Sequence, residues 1–116
     1  MKLNKMSRLI NAELFDNLLD LSAIKIISQR EIMGCGGGIA GITYAFKTDK
    51  HERISVVYIL SKYCKGKAFT YRVLMHELVH CYQNQLKQKL NHNGAFFHHF
   101  ERKARALGYE IDMGRF

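Results

Sequence analysis

The sequence predicts a single domain, residues 1–116, of the α+β class: a small antiparallel β-sheet packed on one long helix, with further helices. Three observations support this prediction. The chain has 116 residues, enough for one hydrophobic core and no second one. Two short apolar runs rich in β-branched residues lie close together in the middle of the chain. After them, a longer segment carries apolar residues at helical spacing.

The first half of the chain predicts one helix and three strands. Residues 11–21 place leucines and a phenylalanine at helical spacing, with Asn11 at the amino-terminal end. Lys25–Ser28 is short and β-branched, which is typical of a strand. Ile42–Phe46 and Ile54–Leu60 are two further strands, and the polar segment between them predicts a β-hairpin.

A glycine-rich segment precedes the second strand. Gly36, Gly38 and Gly41 formally match the spacing of a dinucleotide-binding loop. That motif requires a helix that begins at its last glycine, whereas Ile42–Phe46 is predicted as a strand. The segment is therefore interpreted as a flexible turn that leads into the strand.

The second half of the chain is predicted to be helical. The long central helix runs from Ala68 to about Leu90, and residues 91–94 form a turn. Ala95–Leu107 forms another helix that ends at Gly108. Its predicted apolar face consists of Phe96, Phe100, Ala104 and Leu107.

Composition disfavours several classes of protein. The apolar fraction is 47%, and no apolar run approaches the roughly 18 residues of a membrane span, so we expect neither disorder nor membrane insertion. The basic start lacks the apolar stretch of a secretion signal, which favours a cytoplasmic location. Cys35, Cys64 and Cys81 have no paired spacing, which argues against a disulfide framework or a zinc ribbon.

The net charge of +8 is concentrated in residues 61–105, which contain nine basic and two acidic side chains. Such a stretch favours polyanions, above all DNA or RNA, and a merely solvated basic surface is the alternative. The candidates for a polyanion-binding face are Lys62, Lys65, Lys67, Lys87, Lys89, Arg102, Lys103 and Arg105.

The predicted central helix contains an H-E-x-x-H motif, from His76 through Glu77 to His80. Residues four apart on a helix project from the same face with Cβ atoms about 5–6 Å apart, so both imidazoles can reach one metal ion. Glu77 lies one step round the helix, where it can take a proton from water beside the metal. The motif therefore predicts a zinc site with Glu77 as the catalytic base.

Catalytic zinc usually has three protein ligands and an open fourth position. The main candidates for the third ligand are His92, in the turn after the central helix, and Glu101, on the helix that follows. His98 and His99 lie on that helix too. Spacing alone leaves the choice between them open. Tyr109 is a candidate for stabilising the oxyanion of a tetrahedral intermediate.

The segment His76-Glu77-Leu78-Val79-His80, followed by His92-Asn93-Gly94-Ala95-Phe96 and an amphipathic helix, resembles the SprT-like zinc metalloprotease family, which includes the Spartan proteases. The resemblance covers roughly residues 40–108. It implies a zincin-like minimal metalloprotease core, Zn²⁺ bound by His76, His80 and His92, and Glu77 as general base. In that family the glycine stands one residue after the third histidine, whereas Gly94 stands two after it. The sequence after His92 also has no C-x-x-C of the zinc ribbon that bacterial members often carry.

The predicted function is therefore hydrolysis of peptide bonds in a protein or peptide substrate. The resemblance implies substrates on or near DNA, in agreement with the basic charge around the motif. An exposed sheet edge, Ile42–Phe46 or Ile54–Leu60, could hold the substrate as an added strand. The alternatives are a gluzincin-like peptidase with Glu101 as third ligand, and a basic nucleic-acid-binding module with a structural zinc.

Overall fold

A computed structural model of the chain describes residues 2–33, 39–92 and 94–109 and shows a small α+β fold. Three helices and three strands follow one another along the chain, with one turn of 3₁₀-helix before the first strand. They are α1 (Leu3–Leu14), the 3₁₀ turn (Leu21–Ala23), β1 (Ile24–Gln29), β2 (Gly41–Lys47), β3 (Arg53–Leu60), α2 (Lys67–Gln85) and α3 (Ala95–Ala106). The three predicted strands are confirmed.

The sheet is mixed, with the strand order β1-β3-β2. β2 and β3 form the predicted antiparallel hairpin, whereas β1 pairs parallel to β3. The prediction of an antiparallel sheet therefore holds for β2 and β3 and is wrong for β1, because β1 and β3 are not consecutive strands and a parallel pair needs such a longer connection. The prediction that Ile54–Leu60 could be a sheet edge is also wrong, since β3 is the central strand.

All the helical packing lies on one face of the sheet. The inward side chains of β3, Val57 and Ile59, are buried against α2, which contacts both β2 and β3. α1 and α3 contact α2 and each other, so α2 lies between the sheet and the other two helices. This placement buries every residue of α2 from Val73 to Cys81.

The first helix lies earlier in the chain than the predicted span of residues 11–21. α1 buries Met6, Ile10 and Leu14, which are spaced four apart. Soon after its last residue come Asp16 and Asn17, which both have a positive φ. Short polar side chains adopt this left-handed conformation more readily than others and so end the helix there.

Asn11 lies inside the last turns of α1 rather than at the start of a helix. Its side chain accepts a hydrogen bond from the backbone N–H of Leu19 at 3.1 Å and donates one to the Leu19 carbonyl at 2.9 Å. Asn11 therefore fixes the loop that returns from α1 toward the sheet, a long-range role that helical periodicity does not reveal.

The two later helices lie where they were predicted. They differ from the prediction in where they end and in which residues of α3 are buried. α2 stops at Gln85, before the predicted Leu90, and Lys87 in the following turn has a φ of 60°. The buried face of α3 consists of Phe97, Phe100 and Ala104, while Phe96 is half-buried and Leu107 exposed. The prediction therefore placed Phe96 on the buried face at the start of α3, where the structure places Phe97.

The described cysteines, Cys64 and Cys81, carry free thiols, and Cys81 is fully buried like a small apolar side chain. Cys35 and the predicted glycine turn with Gly36 and Gly38 lie outside the described residues. Within the described ranges, none of the helices combines the length and apolar character that crossing a bilayer requires.

Candidate metal centre

The H-E-x-x-H motif lies in the most deeply buried part of α2. His76 is 0% exposed, Glu77 1% and His80 6%. Burying polar side chains is unfavourable unless each finds a partner, so the contacts of these three indicate what the site is built to hold.

Three imidazoles converge at this point of the fold. His76 Nε2 lies 3.2 Å from His80 Nε2, and each of these atoms lies 2.9 Å from Nε2 of His92. His76 and His80 come from successive turns of α2, and His92 comes from the loop before α3. The three residues form a group whose ligand atoms could hold one metal ion.

The donor set fits a metal ion. Burial lowers the pKa of His80 and the pKa of His92, which favours the neutral imidazole that binds metals. One proton cannot satisfy three nitrogens that all face one another, whereas one cation accepts a lone pair from each. Imidazole nitrogen suits Zn²⁺, Cu²⁺, Fe²⁺ and Ni²⁺, so the geometry alone does not name the metal.

Phe97 packs against all three histidine rings. It is fully buried, and its ring centroid lies 4.9 Å from that of His76 and 5.3 Å from those of His80 and His92. The sequence placed Phe96, rather than Phe97, on the apolar face of α3, and Phe96 instead packs against Tyr82 and Phe100. The i, i+3, i+7 spacing of the buried face of α3 was the signal that could have found Phe97.

Glu77 points toward the edge strand β2. Its Oε1 accepts a hydrogen bond from the Thr43 hydroxyl at 2.8 Å, and its buried Oε2 has no hydrogen-bond partner among the described residues. Burial raises the pKa of the Glu77 carboxyl to about 7, against a smaller lowering effect of Thr43. The carboxyl can therefore both accept and release a proton near neutral pH.

Gly41 makes room for this carboxylate. A Cβ atom at position 41 would lie 2.8 Å from Val73 Cγ1 and 3.0 Å from Glu77 Oε2. A side chain at this position would displace Val73 or the strand, because real Cβ atoms essentially never approach within 3.0 Å of another heavy atom, and it would crowd the Glu77 carboxylate. Sequence reasoning assigned Gly41 only to a turn and missed this close approach.

Comparison with known proteins gives no match. No family model, no curated protein and no solved structure is significantly similar to the chain. The SprT-like resemblance therefore stays a prediction from the motif, and the geometry of the site has to support any function proposed for it.

The other candidate site residues lie apart from the three histidines. Glu101 Oε1 lies 3.6 Å from His98 Nδ1, and Glu101 is not a member of the three-histidine group. His99 is exposed, with its ring against Phe100. Tyr109 packs on Tyr71, at 5.1 Å between ring centroids, near the start of α2.

The basic residues named by the sequence lie at the surface. Lys62 pairs with Glu31 at 3.1 Å, and Lys103 pairs with Asp16 at 3.0 Å. The other six are exposed and form no ion pair within the described part of the chain: Lys65, Lys67, Lys87, Lys89, Arg102 and Arg105. Lys65 and Lys67 lie at the start of α2, and Lys87 and Lys89 lie just after its end. The two pairs are therefore separated by a helix about 28 Å long.

Proposed function

We propose that this protein is a zinc-dependent peptidase in which His76, His80 and His92 bind the metal and Glu77 is the general base. The observation that supports it most is the convergence of three Nε2 atoms within 3.2 Å of one another, with a buried carboxylate one residue away on the same helix. In this proposal the chain has a zincin-like minimal metalloprotease core of the SprT-like type.

Zinc is the metal we propose because two of the three imidazoles belong to an H-E-x-x-H motif, which is typical of zinc sites with a glutamate as general base. Three protein ligands with a position left for substrate or water are typical of catalytic zinc, whereas structural zinc is closed by a fourth protein ligand. Within the described residues the group has three members. When bound, zinc supplies a Lewis acid that polarises the scissile carbonyl and makes the attacking water more acidic.

Glu77 moves the proton in this proposal. Its carboxylate takes a proton from the attacking water and later passes it to the leaving amine, which requires a pKa near the working pH. Burial supports this role by raising the pKa of Glu77 to about 7. Thr43 holds Oε1, which leaves Oε2 to exchange the proton.

We assign the substrate to the free edge of β2. β1 and β2 are the two edge strands of the described sheet, and the residues of β2 from Tyr44 to Lys47 are exposed. An extended peptide can pair with such an edge through its main chain. Thr43, near the start of the same strand, donates a hydrogen bond to Glu77, so a peptide on this edge would run toward the proposed base.

The deciding experiment compares two carboxylates that differ in burial. Glu77→Gln keeps the shape of the side chain but cannot take a proton, so hydrolysis of a fluorogenic peptide should fall by about 10²–10⁴-fold while zinc, measured by elemental analysis, stays at about one per chain. Glu101→Gln is the matched control and should change neither. Full hydrolysis by Glu77→Gln would contradict the role of Glu77, and a zinc-loaded wild-type chain that cleaves no protein would favour a structural metal.

Contact with DNA is part of the same proposal and has a separate test. The six exposed cations that form no ion pair with the described residues support it, and counterion release predicts that DNA affinity falls steeply as salt rises. Fluorescence anisotropy with labelled DNA should show this for the wild type. The pair Lys65→Glu and Lys67→Glu, compared with the pair Lys87→Glu and Lys89→Glu, tells which end of α2 contacts DNA. Absence of binding at low salt would remove DNA from the proposal and leave the peptidase intact.

A further inference from the structure

We infer that Gln83 is a positioning residue that ties two of the proposed metal ligands, His80 and His92, into one arrangement. Gln83 lies one helical turn after His80 on α2 and is 1% exposed. Its amide makes two hydrogen bonds, one with the His80 ring and one with the backbone beside His92. The inference rests on the metal site of the proposed function but not on peptidase activity.

The first hydrogen bond fixes the tautomer of His80. Gln83 Nε2 lies 3.1 Å from the carbonyl oxygen of Asn91, which can only accept, so the amide must place its NH₂ group there. Oε1 of Gln83 therefore faces His80 Nδ1, at 2.8 Å, and Nδ1 carries the proton. The proton is then absent from His80 Nε2, whose lone pair faces the other two histidines.

The second hydrogen bond holds the loop that supplies the third ligand. Asn91 directly precedes His92, so an anchor on the Asn91 carbonyl sets where the His92 backbone leaves the end of α2. Gln83 thus connects the helix that carries two ligands with the loop that carries the third. Such partners behind metal-binding histidines typically contribute 10- to 100-fold to metal affinity.

The neighbouring residue Asn84 provides a contrast within the same helix. Asn84 is also a buried amide, at 2% exposure, and donates to the Ile54 carbonyl at 3.1 Å and to the Ser55 hydroxyl at 3.0 Å. Both of its contacts are with the sheet, and neither involves a metal ligand. Asn84 is therefore a matched control, since its loss also removes buried hydrogen bonds from α2.

The experiment measures zinc affinity and the His80 tautomer in three variants. Gln83→Leu removes both hydrogen bonds, so zinc affinity in a chelator competition should weaken 10- to 100-fold, and ¹⁵N NMR of the metal-free protein should show His80 partly protonated at Nε2. Gln83→Glu keeps an acceptor for His80 and loses the donor to Asn91, so His80 should keep its proton at Nδ1 while zinc affinity falls by less. Asn84→Leu should change neither quantity.

Two results would overturn the inference. One is a Gln83→Leu variant with unchanged zinc affinity and an unchanged His80 tautomer. The other is an Asn84→Leu variant that weakens zinc as much as Gln83→Leu does. A wild-type protein that binds no zinc would instead overturn the proposed function, and the tautomer measurement on the metal-free protein would still test Gln83. Absence of hydrolysis affects neither readout.

Discussion

The molecule buries two groups of polar side chains: amides that attach loops and helices to one another, and the three histidines of the candidate metal site. The two groups differ in how their hydrogen bonds are completed. Asn11 pairs with both backbone groups of Leu19, and Asn84 donates to the Ile54 carbonyl and the Ser55 hydroxyl. In each case a buried amide is satisfied by groups of the same chain. These amides close a loop or attach a helix to the sheet.

The three histidines are different. Their Nε2 atoms face one another at 2.9–3.2 Å, an arrangement that no distribution of protons on neutral rings completes. Glu77 beside them keeps a buried carboxylate oxygen that has no hydrogen-bond partner among the described residues. The internally satisfied amides stabilise the fold, whereas three converging ring nitrogens form a group that could hold a metal ion.

Substitution of His92 should have the largest effect of the changes proposed here, and the quantity that it changes is zinc affinity. His92→Ala removes one of three converging nitrogens, and a zinc site whose binding free energy is about 10–16 kcal/mol loses roughly a quarter of it with one ligand, which is about 10²–10³-fold in affinity. Chelator competition measures the loss. His99→Ala, an exposed histidine on α3, should bind zinc like the wild type, and an equal loss in both variants would remove His92 from the site.

The pH dependence of stability gives the next largest effect. The pKa of Glu77 is about 7 in the folded chain and 4.5 for an ordinary glutamate, so the folded state binds this proton more tightly. The metal-free protein should therefore lose stability as pH rises from 4.5 to about 7, by about 3 kcal/mol at 1.36 kcal/mol per pKa unit.

Glu77→Gln removes this loss and should be the more stable protein above pH 7. Urea unfolding of the two metal-free proteins at pH 4.5 and pH 7.5 measures the difference. The titration of His80 and His92 is common to both proteins and largely cancels in the comparison. A stability difference that does not change with pH would show that Glu77 is ionised in the folded chain as readily as in water.

Sequence reasoning identified local features of the fold and missed those that depend on contacts between distant segments. The β-branched runs predicted β2 and β3, and the four-residue offset of His76 and His80 placed both on one face of α2. The parallel pairing of β1 was missed because alternation along a strand does not encode which neighbour it pairs with.

The same limit applies around the site. The H-E-x-x-H motif identifies two histidines and a glutamate from their spacing alone. Thr43 and Gly41 come from a strand more than 30 positions away, and Gln83 acts through a loop carbonyl, so no local pattern predicts any of the three. Asn11 was assigned to a helix start because Asn favours that position, whereas a tertiary contact decides its role.

Asn11→Ala tests the buried amides whose hydrogen bonds are completed within the chain. The change leaves the buried N–H and carbonyl of Leu19 without their partner, which costs about 1–3 kcal/mol of stability. Urea unfolding measures this loss, and zinc affinity should be unchanged. Asn4→Ala, at an exposed position of the same helix, corrects for helix propensity. A change in zinc affinity with Asn11→Ala would mean that the two groups of buried polar residues are coupled.

Glu101→Ala should give the smallest effect and separates the two proposed ligand schemes. Glu101 faces His98 at 3.6 Å, and His98 is about two-fifths exposed, so their ion pair is screened by water and present only when the histidine is protonated. Its loss should cost at most about 1 kcal/mol of stability. Zinc affinity should match that of the wild type, because the three converging nitrogens do not include this carboxylate. If Glu101→Ala instead weakened zinc as much as His92→Ala, the third ligand would be a glutamate and the site would be of the gluzincin type.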